Sequence, residues 1–174
     1  MKKALGSWSG MRKYLEKEMP AECLKGRLRY NCTRYVGMDD CHIFEVYADD
    51  KLMKRFSWET VNSWFIDRGL SSVKEPFGIQ EYWKDFWALL EKTPMVDRTE
   101  YTDGEFSEAL AEYRGQAIEE SLVSENPIVR MFAILDRRVG KRTLSRLKET
   151  ADSQPDWLRA FYTLRLEAES MIKE

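Results

Sequence analysis

Residues 124–148 have the sequence SENPIVRMFAILDRRVGKRTLSRLK, in which several local signals agree on a helix, a tight turn and a second helix. Asn126 can cap a helix that begins at Pro127, where a missing N–H costs nothing because that donor would be unpaired anyway. One face of this helix is apolar, with side chains at steps of four, three and four: Ile128, Phe132, Leu135 and Val139. Gly140 suits a left-handed C-terminal cap, and a second helix is predicted over 141–148.

A later segment resembles this one. Residues 128–139, IVRMFAILDRRV, align without gaps to residues 157–168, WLRAFYTLRLEA, and a proline precedes each. The identical pairs are Arg130 and Arg159, Phe132 and Phe161, and Leu135 and Leu164. Such copies are typical of HEAT-type repeats, in which stacked helix pairs share one core. Since three identities also arise between any two amphipathic helices, an ordinary helical bundle is the alternative.

Length, charge and cysteine content narrow the class of protein. At 174 residues, 43% hydrophobic and 13% aromatic, the chain can bury a core and fits one domain, or one domain with a small subdomain. A net charge of −2 and a pI near 5.7 provide no overall attraction to nucleic acid or to an anionic membrane. No apolar run approaches the roughly 18 residues of a membrane span. Cys23, Cys32 and Cys41 are an odd number without Cys-x-x-Cys spacing, which favours free thiols and a cytoplasmic protein.

The first third of the chain carries the β pattern. A short helix, capped by Ser7 or Ser9 and ended by Pro20, precedes segments in which apolar and polar residues alternate. The predicted strands cover 27–35, 41–48 and 51–57. Because Asp49 and Asp50 form a plausible turn, we expect a three-stranded antiparallel meander.

The remainder is predicted to be helical. Further helices are expected over 57–69, 78–92 and 104–124, and the last is long and acidic, with Phe106, Leu110, Tyr113 and Ala117 facing inward. The predicted fold class is therefore α+β, with a small N-terminal antiparallel three-stranded sheet and a mostly helical C-terminal portion. We expect the helix and meander over 8–57 and the helical region over 58–174 to pack as one continuous domain.

Four stretches together resemble a family of small bacterial proteins that are uncharacterised. They are WSGMRKYLE (8–16), LKGRLRYNCTRY (24–35), IEESLVSENPIVRMFAILDRRVGKRTL (118–144) and FYTLRL (161–166). The resemblance covers nearly the whole chain except residues 1–7, and its most distinctive part is DRRVGKR, residues 136–142. It implies no activity, substrate or cofactor.

The usual catalytic and metal-binding patterns do not occur in the sequence. His42 is the single histidine, and one imidazole cannot supply the nitrogen ligands typical of zinc sites. The run Asp39-Asp40-Cys41-His42 is better interpreted as a turn, because neighbouring strand residues point to opposite faces. No phosphate-binding glycine loop and no Gly-x-Ser-x-Gly elbow occurs. We therefore predict no catalytic residues, no metal and no cofactor.

Charge is segregated around residue 125. Residues 103–125 contain seven acidic residues and one arginine (net −6), and residues 126–148 contain seven basic residues and one aspartate (net +6). Either the two helices lie antiparallel and partly neutralise each other, or the basic side chains remain free. In the second case they form a basic ridge able to bind phosphates or an acidic partner surface: Arg137, Arg138, Lys141, Arg142 and Arg146.

Asp136 is unusual within the basic block. A carboxylate near the C-terminus of a helix faces the negative end of the helix dipole, so it needs compensation. We expect Asp136 to cap the N–H groups of residues 141–143, or to pair with Arg138 or with an arginine of the second copy.

A second candidate surface is the strand face of the first predicted strand, which carries Arg27, Arg29, Asn31 and Tyr35 and is extended by Tyr47. Arginine and tyrosine on an open sheet are typical of single-stranded nucleic-acid binding. Alternatively, a helix covers this face or the arginines pair with Glu45.

These patterns favour a non-enzymatic binding module with a protein partner, no membrane association and an undetermined oligomeric state. The alternatives are nucleic-acid binding through the basic ridge or the strand face, and an enzyme of unrecognised type, which requires a deep pocket with convergent polar groups.

Overall fold

One sheet and a set of helices make up the described chain, which in this computed structural model comprises residues 6–34, 42–70 and 79–172. The strands are β1 (Leu28–Arg34), β2 (His42–Ala48) and β3 (Lys51–Phe56). The α-helices are α1 (Trp8–Lys13), α2 (Trp58–Ile66), α3 (Ile79–Lys92), α4 (Asp103–Gly115), α5 (Ile118–Leu122), α6 (Pro127–Leu135), α7 (Lys141–Thr150) and α8 (Asp156–Ala168). The predicted α+β class is confirmed.

The sheet is the predicted antiparallel meander, with strand order β1-β2-β3. Ala48 pairs with Lys51, and the two residues between them, Asp49 and Asp50, have φ values of 49° and 63°. A two-residue hairpin turn needs this left-handed region, which aspartate tolerates better than most residues. The inner face is buried and consists of Leu28, Tyr30, Phe44, Val46 and Ala48.

Helix α1 covers the β1 side of the sheet. Ser7 caps the helix by accepting the N–H of Gly10, and the chain continues as a π-helix over Tyr14–Glu18. The Glu16 carboxylate accepts the backbone N–H of Tyr30 at 2.8 Å. Since β1 is an edge strand, this bond satisfies a donor that would otherwise be open to pairing with another chain.

Helix α6 forms the centre of the molecule, and every residue in it except Arg130 is buried. Asn126 accepts the N–H of Ile128 at 3.0 Å and Pro127 occupies the first helical position, as predicted. The helix packs against α4, α5 and α8. Phe132 of α6 and Phe161 of α8 both lie in the core with no exposed surface.

Aromatic side chains connect this helical core to the sheet. The ring of Phe106 in α4 lies 4.9 Å from Phe56 of β3 and 5.4 Å from Phe132 of α6. Core residues from both 8–57 and 58–174 thus belong to one cluster. The division into these two ranges within one continuous domain stays a prediction.

Helices α2 and α3 form an aromatic hairpin with a smaller core of its own, made of Val61, Trp64, Phe65, Leu70 and Phe86. Ser57 caps α2 by accepting the N–H of Thr60, and Gly69, with φ of 102°, ends the segment as expected. Around this core stand Trp58, Trp83 and the half-exposed Trp87, whose ring lies 4.8 Å from that of Trp58.

The predicted acidic helix over 104–124 is wrong in one respect, because the chain breaks it into α4 and α5. Gln116 and Ala117 are extended, with ψ values of 168° and 153°. The Glu120 side chain accepts the N–H of Ala117, and this hydrogen bond caps the N-terminus of α5 as a separate helix. Ala117 is therefore exposed and does not face inward.

The predicted end of the central helix also needs correction. Helix α6 ends at Leu135. Val139 lies in the loop that follows the helix, and its side chain is buried. Gly140 has φ of −83° and serves as the N-cap of α7, so it is not a left-handed C-terminal cap. The contacts of Asp136 and Arg165, described below, hold this loop, which turns at residues 137–138. The HEAT-type repeat stays a prediction.

Candidate functional site

The basic ridge runs along the loop after α6 and the first turns of α7. All five of its residues are exposed: Arg137, Arg138, Lys141, Arg142 and Arg146. Arg142 and Arg146 are four residues apart in α7 and therefore lie on the same side of that helix. That these five side chains form one binding surface stays a prediction.

A buried carboxylate fixes the loop that carries the ridge. Asp136 is only 2% exposed, and its Oδ1 accepts the backbone N–H of Arg138 at 2.7 Å. Its Oδ2 accepts from Nε and Nη2 of Arg138 at 2.9 and 2.7 Å, and also from the hydroxyl of Tyr113. Of the expected alternatives, Asp136 therefore pairs with Arg138, whereas α7 has no side-chain cap.

Hydrogen bonding and burial shift the pKa values of two groups in this cluster, Arg138 and Tyr113. The hydrogen bond from Arg138 to Asp136 raises the pKa of the Arg138 guanidinium above its usual value. Burial, followed by the hydrogen bond to Asp136, raises the pKa of the Tyr113 hydroxyl, so Tyr113 remains a donor over the whole accessible pH range. Three donor groups thus hold one buried carboxylate.

Arg165 supports the same loop from the other side. It is 2% exposed, and its guanidinium donates to the carbonyl oxygens of Ile134, Asp136 and Val139 at 3.1, 2.9 and 2.8 Å. No role was predicted for this residue from the sequence. The signal was present, because Arg165 follows Leu158 and Phe161 at helical spacing and thus places a cation in an apolar stripe.

The acidic segment does not neutralise the ridge in the described part of the chain. There, no acidic oxygen lies within 4.0 Å of Arg137, Lys141, Arg142 or Arg146, and Arg138 alone has an ion pair, with Asp136. Helices α4 and α5 pack on α6, whereas α7 packs on α8 and on the 3-10 turn Ala151–Ser153.

The arginines of the strand face have more partners within the molecule than the cations of the ridge. Arg27 Nη2 pairs with Asp49 Oδ2 at 2.6 Å, and Arg29 lies over the Tyr47 ring at 4.2 Å. Glu45 pairs across the strands with Arg55, not with Arg27 or Arg29 as the alternative proposed. Tyr35 lies outside the described residues. Since Arg29 covers the Tyr47 ring, that ring is a poorer stacking platform for a nucleic-acid base.

A cleft of about 500 Å³ lies beside this face, between α1 with its π-helix and the start of β1. Cations and carboxylates alternate around it: Arg12, Lys17, Arg27 and Arg29 with Glu16, Asp49 and Asp50. Arg12 is held by Glu16 at 2.9 Å, as Arg27 is by Asp49. The lining residues include no histidine, cysteine or serine.

Cys23 and His42 each form a hydrogen bond with an acidic side chain. Cys23 donates to Glu169 at 3.3 Å, and the backbone N–H of His42 donates to Asp103 at 3.0 Å. Burial raises the pKa of Cys32 to about 11, so this thiol remains protonated. Within 6–34, 42–70 and 79–172, no three potential metal-ligating side chains cluster. Asp39, Asp40 and Cys41 lie outside the described residues.

The fold and the exposed ridge define an α+β protein with a helical core that displays a basic surface. In none of the helices described is there a stretch long and apolar enough to cross a membrane. The chain belongs to the SF0329 protein family, whose model matches residues 7–166. No match was found among curated proteins or among solved structures.

Proposed function

We propose that this protein is a non-enzymatic binding module that docks an acidic surface of a protein partner on its basic ridge. The observation that carries the proposal is that the ridge is exposed, while four of its five cations have no acidic partner among the described residues. The loop beneath is fixed by Asp136 and Arg165, so the ridge is presented on a rigid support.

The placement of the charges supports a role in binding. Lys141 and Arg142 occupy the first turn of α7, which contains no acidic residue and has no side-chain cap. Cations at a helix N-terminus oppose the helix dipole, at a cost of about 0.3–1 kcal/mol each. Helix stability therefore does not account for the presence of Lys141 and Arg142 at this position. Contact with an acidic partner accounts for it.

Nucleic-acid binding is the second candidate, since Lys and Arg also bind phosphates. It has less support because the exposed carboxylates of α4 and α5 belong to the same helical unit, and because Arg29 covers Tyr47 on the strand face. Repulsion between those carboxylates and a polyanion would weaken binding along an extended strand.

The test compares two probes of equal net charge, a fluorescein-labelled glutamate-rich peptide and a single-stranded oligonucleotide, by fluorescence anisotropy. We expect the peptide to bind more tightly. Arg142→Glu with Arg146→Glu should weaken peptide binding about tenfold or more, because two attractions become repulsions. Lys84→Glu with Lys92→Glu on α3 is the matched control, with the same change of charge at exposed positions.

Two results would count against the proposal. Equal losses in both double variants would show that net charge alone drives peptide binding. Tighter, strongly salt-dependent binding of the oligonucleotide would instead support the nucleic-acid alternative.

The bacterial, cytoplasmic setting and the HEAT-type repeat also belong to this proposal. Cys23 and Cys32 are free thiols, which fits a reducing compartment. The packing of α6 on α8, with Phe132 and Phe161 both buried, fits the expected stacking of two repeat copies.

A further inference from the structure

The described chain carries an acidic face opposite in sign to the basic ridge. It consists of the exposed carboxylates of α4, α5 and the turn that follows: Glu108, Glu112, Glu119, Glu120 and Glu125. The hydroxyl of Ser124 donates to Glu112 at 3.2 Å, which joins the end of α5 to the middle of α4. Val123, 80% exposed, lies among these carboxylates.

The two surfaces are opposite in charge. The segments that contain them have net charges of −6 and +6. Helix α6, which is buried, packs on the two acidic helices and on α8, and Arg138 of the ridge contacts α4 at the Tyr113 hydroxyl. Among the described residues, no ion pair connects the acidic face to the ridge.

We infer that the acidic partner of the basic ridge includes a second copy of this chain, whose acidic face docks on the ridge. This rests on the proposed function, since the ridge must first accept an acidic protein surface. A second copy presents five exposed carboxylates, opposite in sign to the cations of the ridge. Two copies can make this contact reciprocally in a closed dimer, or singly in a head-to-tail chain.

The association is expected to be weak and sensitive to salt, because exposed ion pairs contribute little individually and are screened over about 10 Å at 0.1 M ionic strength. Self-association should therefore increase with protein concentration in low salt and disappear at high ionic strength.

Charge-swapped variants test the contact by sedimentation equilibrium in low salt. The wild-type mass should rise with concentration above the 20.6 kDa of one chain. Arg142→Glu with Arg146→Glu should abolish the rise, and so should Glu108→Lys with Glu125→Lys, because each variant opposes like charges. An equimolar mixture of the two variants should regain it, because each reversed surface then faces a complementary one. Lys84→Glu with Lys92→Glu should associate like the wild type.

The inference is overturned if the wild type remains monomeric at every concentration, if either swapped variant associates like the wild type, or if the mixture remains monomeric. Peptide binding distinguishes this failure from failure of the proposed function. A monomeric wild type that still binds the glutamate-rich peptide through the ridge would remove self-association and leave the proposed function intact.

Discussion

Asp136 and Arg165 are the two side chains on which the loop between α6 and α7 depends. One is a buried carboxylate held by Tyr113 and Arg138, and the other is a buried guanidinium that binds three carbonyl oxygens. Removing one partner of such a set leaves the others buried and unpaired, which costs more than the bond itself contributes. Stability should therefore be concentrated in these few residues.

Tyr113→Phe tests the first of them. The substitution removes one donor from the Asp136 carboxylate and leaves the ring packing unchanged, so we expect the free energy of unfolding to fall by about 1–2 kcal/mol. Urea denaturation followed by far-ultraviolet circular dichroism measures the change.

Asp136→Ala should lower the thermal midpoint further. An unchanged midpoint with loss of peptide binding would show that Asp136 acts in recognition and not in structure.

Arg165→Met tests the second. It leaves three buried carbonyl groups without their donor, and we expect a loss of about 3 kcal/mol or more. Arg159→Met on the same helix is the control, because among the described residues the ion pair of Arg159 is with the exposed Asp156, and the change should alter stability by about 0.5 kcal/mol at most. Similar losses for both variants in urea denaturation would contradict the role given to Arg165.

The pKa of Asp49 offers a further residue-scale test. The hydrogen bond from Arg27 holds the pKa of this carboxyl below its usual value, so the pair contributes stability above the ordinary carboxyl range that is lost as pH falls through the lowered pKa. In Arg27→Gln, the Asp49 pKa measured by NMR titration should rise. No change would show that Arg27 does not hold Asp49 in solution.

Among the helices, those with explicit start and stop signals were predicted best. Asn126 with Pro127 marks the start of α6, and Ser57 and Gly69 mark the ends of the segment around α2. The break between α4 and α5 escaped prediction because apolar periodicity continues across Gly115 to Ile118 and Leu122. Contacts between distant residues decide the end of α6, since Arg165 lies 29 positions from the Asp136 carbonyl that it binds.

The candidate site was predictable to a similar extent. The run of charges predicted the basic ridge, and its five side chains are exposed; that they form one binding surface stays a prediction. Of its support, the pair of Asp136 with Arg138 was among the expected alternatives, whereas Tyr113 and Arg165 reach this loop only in the folded chain. On the strand face, the partner of Glu45 proved to be Arg55 of the neighbouring strand.

Helix α7 provides a test at this scale. Arg142→Glu places a carboxylate at the positive end of the helix dipole, so the free energy of unfolding should rise by about 1 kcal/mol. The same variant should bind the glutamate-rich peptide more weakly. Urea denaturation and anisotropy on one sample measure both. If the variant were less stable than the wild type, or bound the peptide equally well, the claim that Arg142 serves binding and not stability would be wrong.

At the scale of the whole molecule, two cores of different size coexist. The larger joins the sheet to α4, α6 and α8, whereas the aromatic hairpin of α2 and α3 has its own small cluster. Because local opening is easiest where few buried contacts must be broken, backbone amides of α3 should exchange hydrogen faster than those of α6. Mass spectrometry of peptides from the two helices measures this, and equal protection would show that the hairpin unfolds with the main core.

The location of the indole rings has a practical consequence. Four of the six tryptophans, Trp58, Trp64, Trp83 and Trp87, lie in the segments that form α2 and α3. Intrinsic emission will therefore report mainly on this hairpin, and the guanidinium of Arg68, 3.6 Å above the Trp64 ring, affects that signal directly. On heating, the midpoint of the fluorescence change should therefore lie at a lower temperature than the midpoint of the ellipticity change. Fluorescence then follows the hairpin, and circular dichroism follows the helices around α6.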